Sequence, residues 1–330
     1  MLLAVVLLAV LFDYINGFHD TANAIATSVS TRALRPDHAI LMSASANFLG
    51  ALTGTAVAKT IASGFADANV VTQTVVLSAL TGACIWNLLT WWWGLPSSSS
   101  HALVGGLVGA ALVHAGAHAV RWGGFDGWRP VGVLGFLLAL TISPLLGFGV
   151  GFVVDGTLRA VLVRATRRVY RPIRGGEWAT SASLAFANGA NDASKAMGVV
   201  AALLLAAGRT SSLSVPLWVR VTSGLALTLG TAVGGWALVR TIGRRIYRIR
   251  PVDGLAAQST STAVVVASSF VGAPVSTTQV LASSVVGIGV SRRRFRHVNW
   301  RIVATIVATW VTTLPASAAI AAIALPIWRW

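Results

Sequence analysis

Asn16-Gly17-Phe18-His19-Asp20-Thr21-Ala22-Asn23-Ala24 lies inside a long apolar run, yet it carries a carboxylate, an imidazole and two amides. A related string, Asn188-Gly189-Ala190-Asn191-Asp192-Ala193-Ser194-Lys195-Ala196, returns in the second half. Asn16, Gly17, Asp20 and Ala24 fall on Asn188, Gly189, Asp192 and Ala196 at a constant offset of 172. An acidic residue in hydrocarbon is costly, so one that occurs twice in the same local context marks a site.

Outward from these strings, apolar runs of about 20 residues recur from end to end, and that length is the thickness of a bilayer core. The 330 residues are 55% hydrophobic and only 10% charged. This composition excludes an ordinary soluble domain and predicts an all-α polytopic membrane protein. Barrel strands would alternate apolar and polar residues over about ten positions, and these runs do not.

Each half holds about five apolar runs. The first is expected to break at Asn16-Gly17 and at Asn188-Gly189. The fourth opens with proline and hydroxyl residues, as Pro96-Ser97-Ser98-Ser99-Ser100-His101 and as Pro274-Val275-Ser276-Thr277-Thr278-Gln279, at an offset of 178. Two matched motifs in the same order indicate an internal repeat. Five is odd, so the second copy enters the membrane from the opposite side, as in secondary transporters. The expected fold is two inverted-topology repeats of about five hydrophobic segments. Each has a broken first helix and a helical hairpin tipped by Pro, Ser and Thr. The repeats are residues 1–158 and 178–330, joined by a basic cytoplasmic linker, 159–177. Segments three and four, and eight and nine, either span or re-enter.

The net charge of +16 does not point to nucleic acid, because the arginines cluster in short loops. With the N-terminus outside, 18 of the 25 Lys and Arg fall in loops on the cytoplasmic side. Six fall outside and Lys195 lies within the membrane, so both termini are expected outside. The first 12 residues lack a basic leader and read as half of the first membrane helix, not a signal peptide. Cys84, the single cysteine, lies in an apolar run and forms no internal disulfide. Trp91-Trp92-Trp93, and the matched Lys59-Thr60-Ile61 and Arg240-Thr241-Ile242, read as interfacial anchors. Gly105-Gly106 and Gly287–Gly289 read as close helix packing. Asp13, seven residues before Asp20, reads as a second proton site or, preferably, as an interfacial residue, and Asp37, Asp67, Asp126, Asp155, Glu177 and Asp253 as solvating groups in or near loops.

Proline ends the preceding helix, and a following Ser or Thr caps the next one. The clusters Ser97–Ser100 and Ser276–Gln279 exceed what capping needs. Two helix N-termini with free N–H groups and several hydroxyls suit a tetrahedral oxyanion, and no arginine is required. Carbonyls freed by a broken helix, with the oxygens of Asp20, Asp192 and neighbouring Asn residues, make a cage for a hard cation. The same carboxylates alternatively carry protons. Cation ligands beside an anion cradle suggest cotransport.

The two Asn-Gly strings resemble the signature of the inorganic phosphate transporter (PiT) family, GANDVANA in both halves, and the bacterial low-affinity type in particular. The first half departs as GFHDTANA and the second as GANDASKA. The two Pro-Ser/Thr segments look like the family's paired phosphate-binding hairpins. The resemblance covers the whole chain. It implies a phosphate symporter of the plasma (inner) membrane, often a homodimer, driven by H⁺ or Na⁺, with no cofactor beyond the coupling ion. By the family's motifs Asn16, Asp20, Asn23, Asn188 and Asp192 line the cation side. Ser98, Ser99, Ser100, Ser276, Thr277 and Thr278 bind phosphate.

Lys195 stands where the first half has Asn23. Its ammonium is expected in the place of a bound sodium, with Asp192 or Asp20 as counter-ion, unless it snorkels to an interface. This favours proton coupling or symport of a divalent metal-phosphate complex. Gln279 stands where the family has His and this chain's first half has His101. A histidine proton shuttle therefore rests on His101 or His19. Sulfate is the competing substrate; an acceptor such as Asp20 or Gln279 facing a protonated phosphate oxygen would select phosphate. An intramembrane hydrolase is disfavoured, since the second half repeats the hydroxyls without a histidine and no Gly-x-Ser-x-Gly elbow occurs. A channel would need rings of carbonyls or charges, usually from several subunits.

Overall fold

A computed structural model describes residues 1–54, 57–58, 72–127, 129–273, 275–291 and 295–329. Lys59-Thr60-Ile61, Asp67, Pro274 and Arg292–Arg294 lie outside the described residues, as does the side chain of Asp126. Eleven α-helices occur among the described residues. In the first half they are α1 (Leu2–Ser30), α2 (Pro36–Thr53), α3 (Gln73–Trp93), α4 (Ser99–Ala115) and α5 (Gly132–Leu162). In the second half they are α6 (Tyr170–Ala206), α7 (Leu217–Val233), α8 (Trp236–Arg240), α9 (Pro251–Val271), α10 (Thr277–Ser291) and α11 (Trp300–Ala324). A short hairpin of β1 (Gly124–Asp126) and β2 (Arg129–Val131) precedes α5. The basic segment between the halves is mostly the ends of α5 and α6, with only residues 163–169 between them.

Helix packing follows the repeat and crosses it. Helix α4 packs on α11 of the other half, and α10 packs on α5. In the same way α1 packs on α7, and α2 on α6. Neither half therefore encloses a core of its own. The outer faces of α5 and α11 leave Leu134, Leu138, Leu145, Val307 and Val311 exposed, which suits lipid as solvent. The centre of the protein holds the polar residues.

The first helices are not broken. Helix α1 runs for 29 residues and α6 for 37 without interruption through Asn16-Gly17 and Asn188-Gly189. The glycines have another purpose, which is close approach. A Cβ on Gly17 would collide with the Leu227 carbonyl of α7, and one on Gly189 with the Asn47 carbonyl of α2. From the facing helices, Gly230 meets the Tyr14 carbonyl and Gly50 that of Phe186. Each first helix is thus clasped through paired glycines by the second helix of the other half.

Helices α4 and α10 have 17 and 15 residues, about 26 and 23 Å long, too short to cross a core of about 30 Å. The α3–α4 tip meets His19, in the middle of α1, through Thr90 and Ser97. The hairpin therefore enters and returns on one side. Its turn carbonyls are satisfied at depth, Gly94 O by Thr241 Oγ1 and Pro96 O by Trp310 Nε1, both at 2.9 Å. This corrects two readings. Trp91 turns inward and packs, tilted, on Phe18 at a centroid distance of 5.1 Å, whereas Trp92 and Trp93 stay on the outer surface. Thr241 and Ile242 are buried and anchor nothing at an interface, while Arg240 is exposed.

Three acidic residues expected to solvate loops are buried instead. Asp155 pairs with Arg159 at 3.1 Å, and Asp253 caps α9 by accepting from Arg250 N at 3.0 Å. Glu177 accepts from Thr31 Oγ1 at 3.0 and 3.2 Å. Asp37 is exposed beside Arg35.

Near the Arg32 end of α1 a polar seam joins α1, α6 and α9. Gln258 Nε2 donates to Ser181 Oγ (2.6 Å) and to Ala24 O (3.1 Å). Ser181 Oγ lies 2.9 Å from Ser28 Oγ, and Thr180 Oγ1 donates to Gln258 Oε1 at 3.0 Å.

Candidate functional site

The N-termini of α4 and α10 meet at the centre of the molecule. Gln279 Nε2 lies 3.3 Å from His101 Nδ1, across the offset of 178. Ser98 Oγ accepts from His101 N, and Ser276 Oγ accepts from Gln279 N, each at 3.3 Å. Both hydroxyls are therefore helix caps, which leaves them less free for a ligand than the resemblance implies. The first N–H groups of each helix have no partner within their helix. These amides, with Ser99, Ser100, Thr277 and Thr278, form one buried cluster of donors. Ser100 Oγ has no hydrogen-bond partner among the described residues.

The carboxylates sit against opposite tips. In the first half, Asn23 Nδ2 donates to Asp20 Oδ1 (3.1 Å), Thr277 Oγ1 (3.2 Å) and Thr278 Oγ1 (2.9 Å). Thr278 Oγ1 also donates to Asp20 Oδ1 at 2.9 Å. In the second half, Lys195 Nζ lies 2.7 Å from Asp192 Oδ1 and 3.1 Å from Ser99 Oγ. Thr277 and Ser99 correspond at the offset of 178, so Lys195 repeats the contacts of Asn23 with an ammonium in place of an amide. Its side chain is 1% exposed, so it does not snorkel, and its counter-ion is Asp192.

The neighbours mirror each other too. His19 Nδ1 lies 3.4 Å from Asp20 Oδ1, and His19 Nε2 is 3.2 Å from Ser97 Oγ. Asn191 Nδ2 donates to Asp192 Oδ1 (3.1 Å) and to Val275 O (3.2 Å). Ser99 Oγ donates to Asp20 Oδ2 at 3.5 Å. A line of polar contacts thus runs from Asp192 through Lys195 and Ser99 to Asp20.

Asn16 and Asn188 lie about one helical turn before the aspartates and do not join this cluster. Both are buried, and neither Asn16 side-chain atom nor Asn188 Oδ1 has a hydrogen-bond partner among the described residues. Two residues beyond the motifs complete the cluster. Thr90 Oγ1 bridges Ser97 Oγ (2.8 Å) and His19 Nε2 (3.4 Å), and Ser143 Oγ donates to Gln279 Oε1 at 3.4 Å. Asn87 lies one turn before Thr90 on α3 with both its amide atoms unpartnered. Thr90 and Asn87 were visible only as polar residues in an apolar run.

Chemically, the cluster offers hydroxyl, amide and ammonium donors to an anion, with carboxylates held at its flanks. All of these groups are buried, so any ligand here is sealed from solvent.

Comparison with known proteins follows the same lines. The phosphate transporter family matches residues 16–174 and again residues 163–321, one match per repeat. A Bacillus subtilis (strain 168) protein named "Probable low-affinity inorganic phosphate transporter" is 42% identical over 97% of this chain and 95% of its own length. Relatives of the same name in Rhizobium meliloti (strain 1021) and Mycobacterium tuberculosis (strain H37Rv) are 39% and 41% identical, over 98% and 96% of this chain and 95% and 74% of their own lengths. A solved structure titled "The sodium-dependent phosphate transporter" shares the fold, with a TM-score of 0.84 over 99% of this chain and 98% of that one at 24% identity. The chain is a multi-pass membrane protein of the phosphate transporter family.

Proposed function

We propose that the protein is a symporter that carries inorganic phosphate by alternating access and is driven by protons, with both termini outside the cell. The names of its relatives support the substrate. The donor cluster between the α4 and α10 tips supports the binding mode, because helix N-termini and hydroxyls hold an oxyanion and can release it. The inverted repeats, exchanging helices across the centre, support alternation by movement of one half against the other.

The observation that carries the choice of coupling ion is Lys195. Its ammonium sits 2.7 Å from Asp192, where the mirrored position in the first half is the neutral Asn23. A fixed cation there meets the charge that a bound sodium would otherwise meet. The anion travels as phosphate itself or as its divalent metal complex.

Uptake of labelled phosphate into proteoliposomes tests the reading, with an imposed H⁺ or Na⁺ gradient and sulfate as competitor. Uptake that follows an inward H⁺ gradient without Na⁺, and that resists sulfate, is expected. Uptake that needs Na⁺ and ignores the pH gradient overturns the coupling; no uptake above empty liposomes overturns the function.

A further inference from the structure

Three carboxylates lie in the middle of the spanning helices near the site, at Asp13, Asp20 and Asp192. Two are provided for. Asp20 accepts from Asn23, Thr278 and Ser99 and faces His19. Asp192 is ion-paired with Lys195 and accepts from Asn191. Asp13 differs. It is 0% exposed, so it is not interfacial, and the Ser223 hydroxyl of α7 beside it is the one side-chain donor it meets among the described residues.

The surroundings follow from the register of α1 against α3. His19 lies level with Thr90 and Phe18 with Trp91. Asp13 and Cys84, each earlier on its helix by the same number of residues, interact electrostatically. The two helices therefore run parallel at an offset near 71, which puts Asn16 and Asn87 at the same level of the bundle. Both amides are 0% exposed, and all four of their polar atoms lack partners among the described residues. This level of the α1–α3 seam thus holds two amides without partners and a carboxylate with a single neutral donor, Ser223.

The groups facing Asp13 are few. Helix α3 presents the Cys84 thiol and α7 the Ser223 hydroxyl; from α6 the nearest charges are Lys195 and Asp192, which already neutralise each other. A bare carboxylate in such a place costs several kcal/mol, and the neutral acid avoids that cost. The second half has no copy of this seam. The positions matching Asp13 and Asn87 are Ala185 and Val265, both apolar.

We infer that Asp13 is the residue that binds the coupling proton. It takes the proton from water that reaches the seam in one orientation of the transporter and returns it to water in the other. Asn16 and Asn87, whose amides are unpartnered, give that water a polar lining on its way to the carboxyl. Asp20 and Asp192 keep their partners throughout. One such seam per chain gives one titrating site per cycle. The inference rests on the proton-symport reading above.

The test compares wild type with Asp13→Asn in proteoliposomes, since the amide keeps the shape and mimics the neutral acid. Two readouts are taken: phosphate–phosphate exchange at equal pH on both sides, and accumulation driven by an inward H⁺ gradient. Asp13→Asn should retain exchange, lose its pH dependence, and lose at least tenfold of gradient-driven accumulation. Asp13→Glu should restore part of that accumulation. If Asp13→Asn accumulates phosphate as wild type does, with the same pH profile, the assignment is overturned while proton symport stands. If Asp13→Asn also loses exchange and Asp13→Glu restores neither readout, the residue is structural and the assignment falls. If the wild type itself is driven by Na⁺ alone, the proton-symport reading falls and the inference with it.

Discussion

Lys195 Nζ lies 2.7 Å from Asp192 Oδ1 and repeats, in the second half, the contacts that Asn23 makes with Asp20 in the first. The symmetry of the backbone is kept, and the symmetry of charge is not. Removing the ammonium leaves Asp192 without its counter-ion, at a cost of about 3–5 kcal/mol for a buried pair. Lys195→Met should therefore lower the melting temperature in detergent and abolish phosphate uptake. The double variant Asp192→Asn with Lys195→Met should melt closer to wild type than Lys195→Met alone. Additive losses in that double-mutant cycle would show that the pair is not coupled.

The hydroxyls of the two tips separate into structural and available groups. Ser98→Ala and Ser276→Ala remove helix caps and should each cost about 1 kcal/mol, with the KM for phosphate unchanged. Ser100→Ala removes a hydroxyl with no partner among the described residues. It should raise KM and leave the melting temperature unchanged. The reverse pattern would exchange the two roles.

Gly17 and Gly189 are contact residues in continuous helices, not hinges. Gly17→Ala and Gly189→Ala should each cost about 1–3 kcal/mol or more through overpacking against the facing backbone. Gly149→Ala on α5, where an added Cβ meets nothing within 4 Å, should be neutral or stabilising. Thermal unfolding of the three purified variants checks this; a Gly17→Ala protein as stable as Gly149→Ala would contradict the close approach.

Asp20 Oδ1 carries the contacts of Asn23, Thr278 and His19, while Oδ2 accepts only from Ser99 at 3.5 Å and, being charged, is a better acceptor for a protonated phosphate oxygen than Gln279 Oε1. Sulfate offers no such hydrogen at neutral pH. Asp20→Asn should lower phosphate uptake by at least about tenfold, since a site built to pair a hydroxyl discriminates strongly. It should also let sulfate compete where it does not compete with the wild type. Competition assays at fixed pH measure both effects.

The repeat was legible because a polar string inside an apolar run is costly, and two such strings pair in the same order at offsets of 172 and 178 only if one half copies the other. The tips were legible for the same reason. Gly17 and Gly189 were misread because a glycine in a membrane helix signals either a break or a close neighbour, and only the facing helix decides which. Asp155, Glu177 and Asp253 stand near helix ends, where sequence alone does not separate a solvated carboxylate from one folded under a neighbouring helix. Asp13 had no copy in the second half, so nothing in the repeat weighed against the interfacial reading that its burial overturns.

The seam of Ser28, Thr31, Glu177, Ser181 and Gln258 is polar, and all but the half-buried Thr31 are buried. Its image under the repeat, near the opposite end of the bundle, is Val200, Leu203, Val5, Ala9 and Leu80, all part of one apolar core cluster. The same architectural joint is thus closed at one end by hydrogen bonds and at the other by oil. Parting the first exposes groups that water welcomes; parting the second exposes groups that water rejects, at about 25 cal/mol for each Å². An inverted repeat suggests a seesaw with equal arms, but these arms are weighted differently. Under the alternating access proposed above, the empty carrier would have a preferred tilt, written into residues outside the donor cluster.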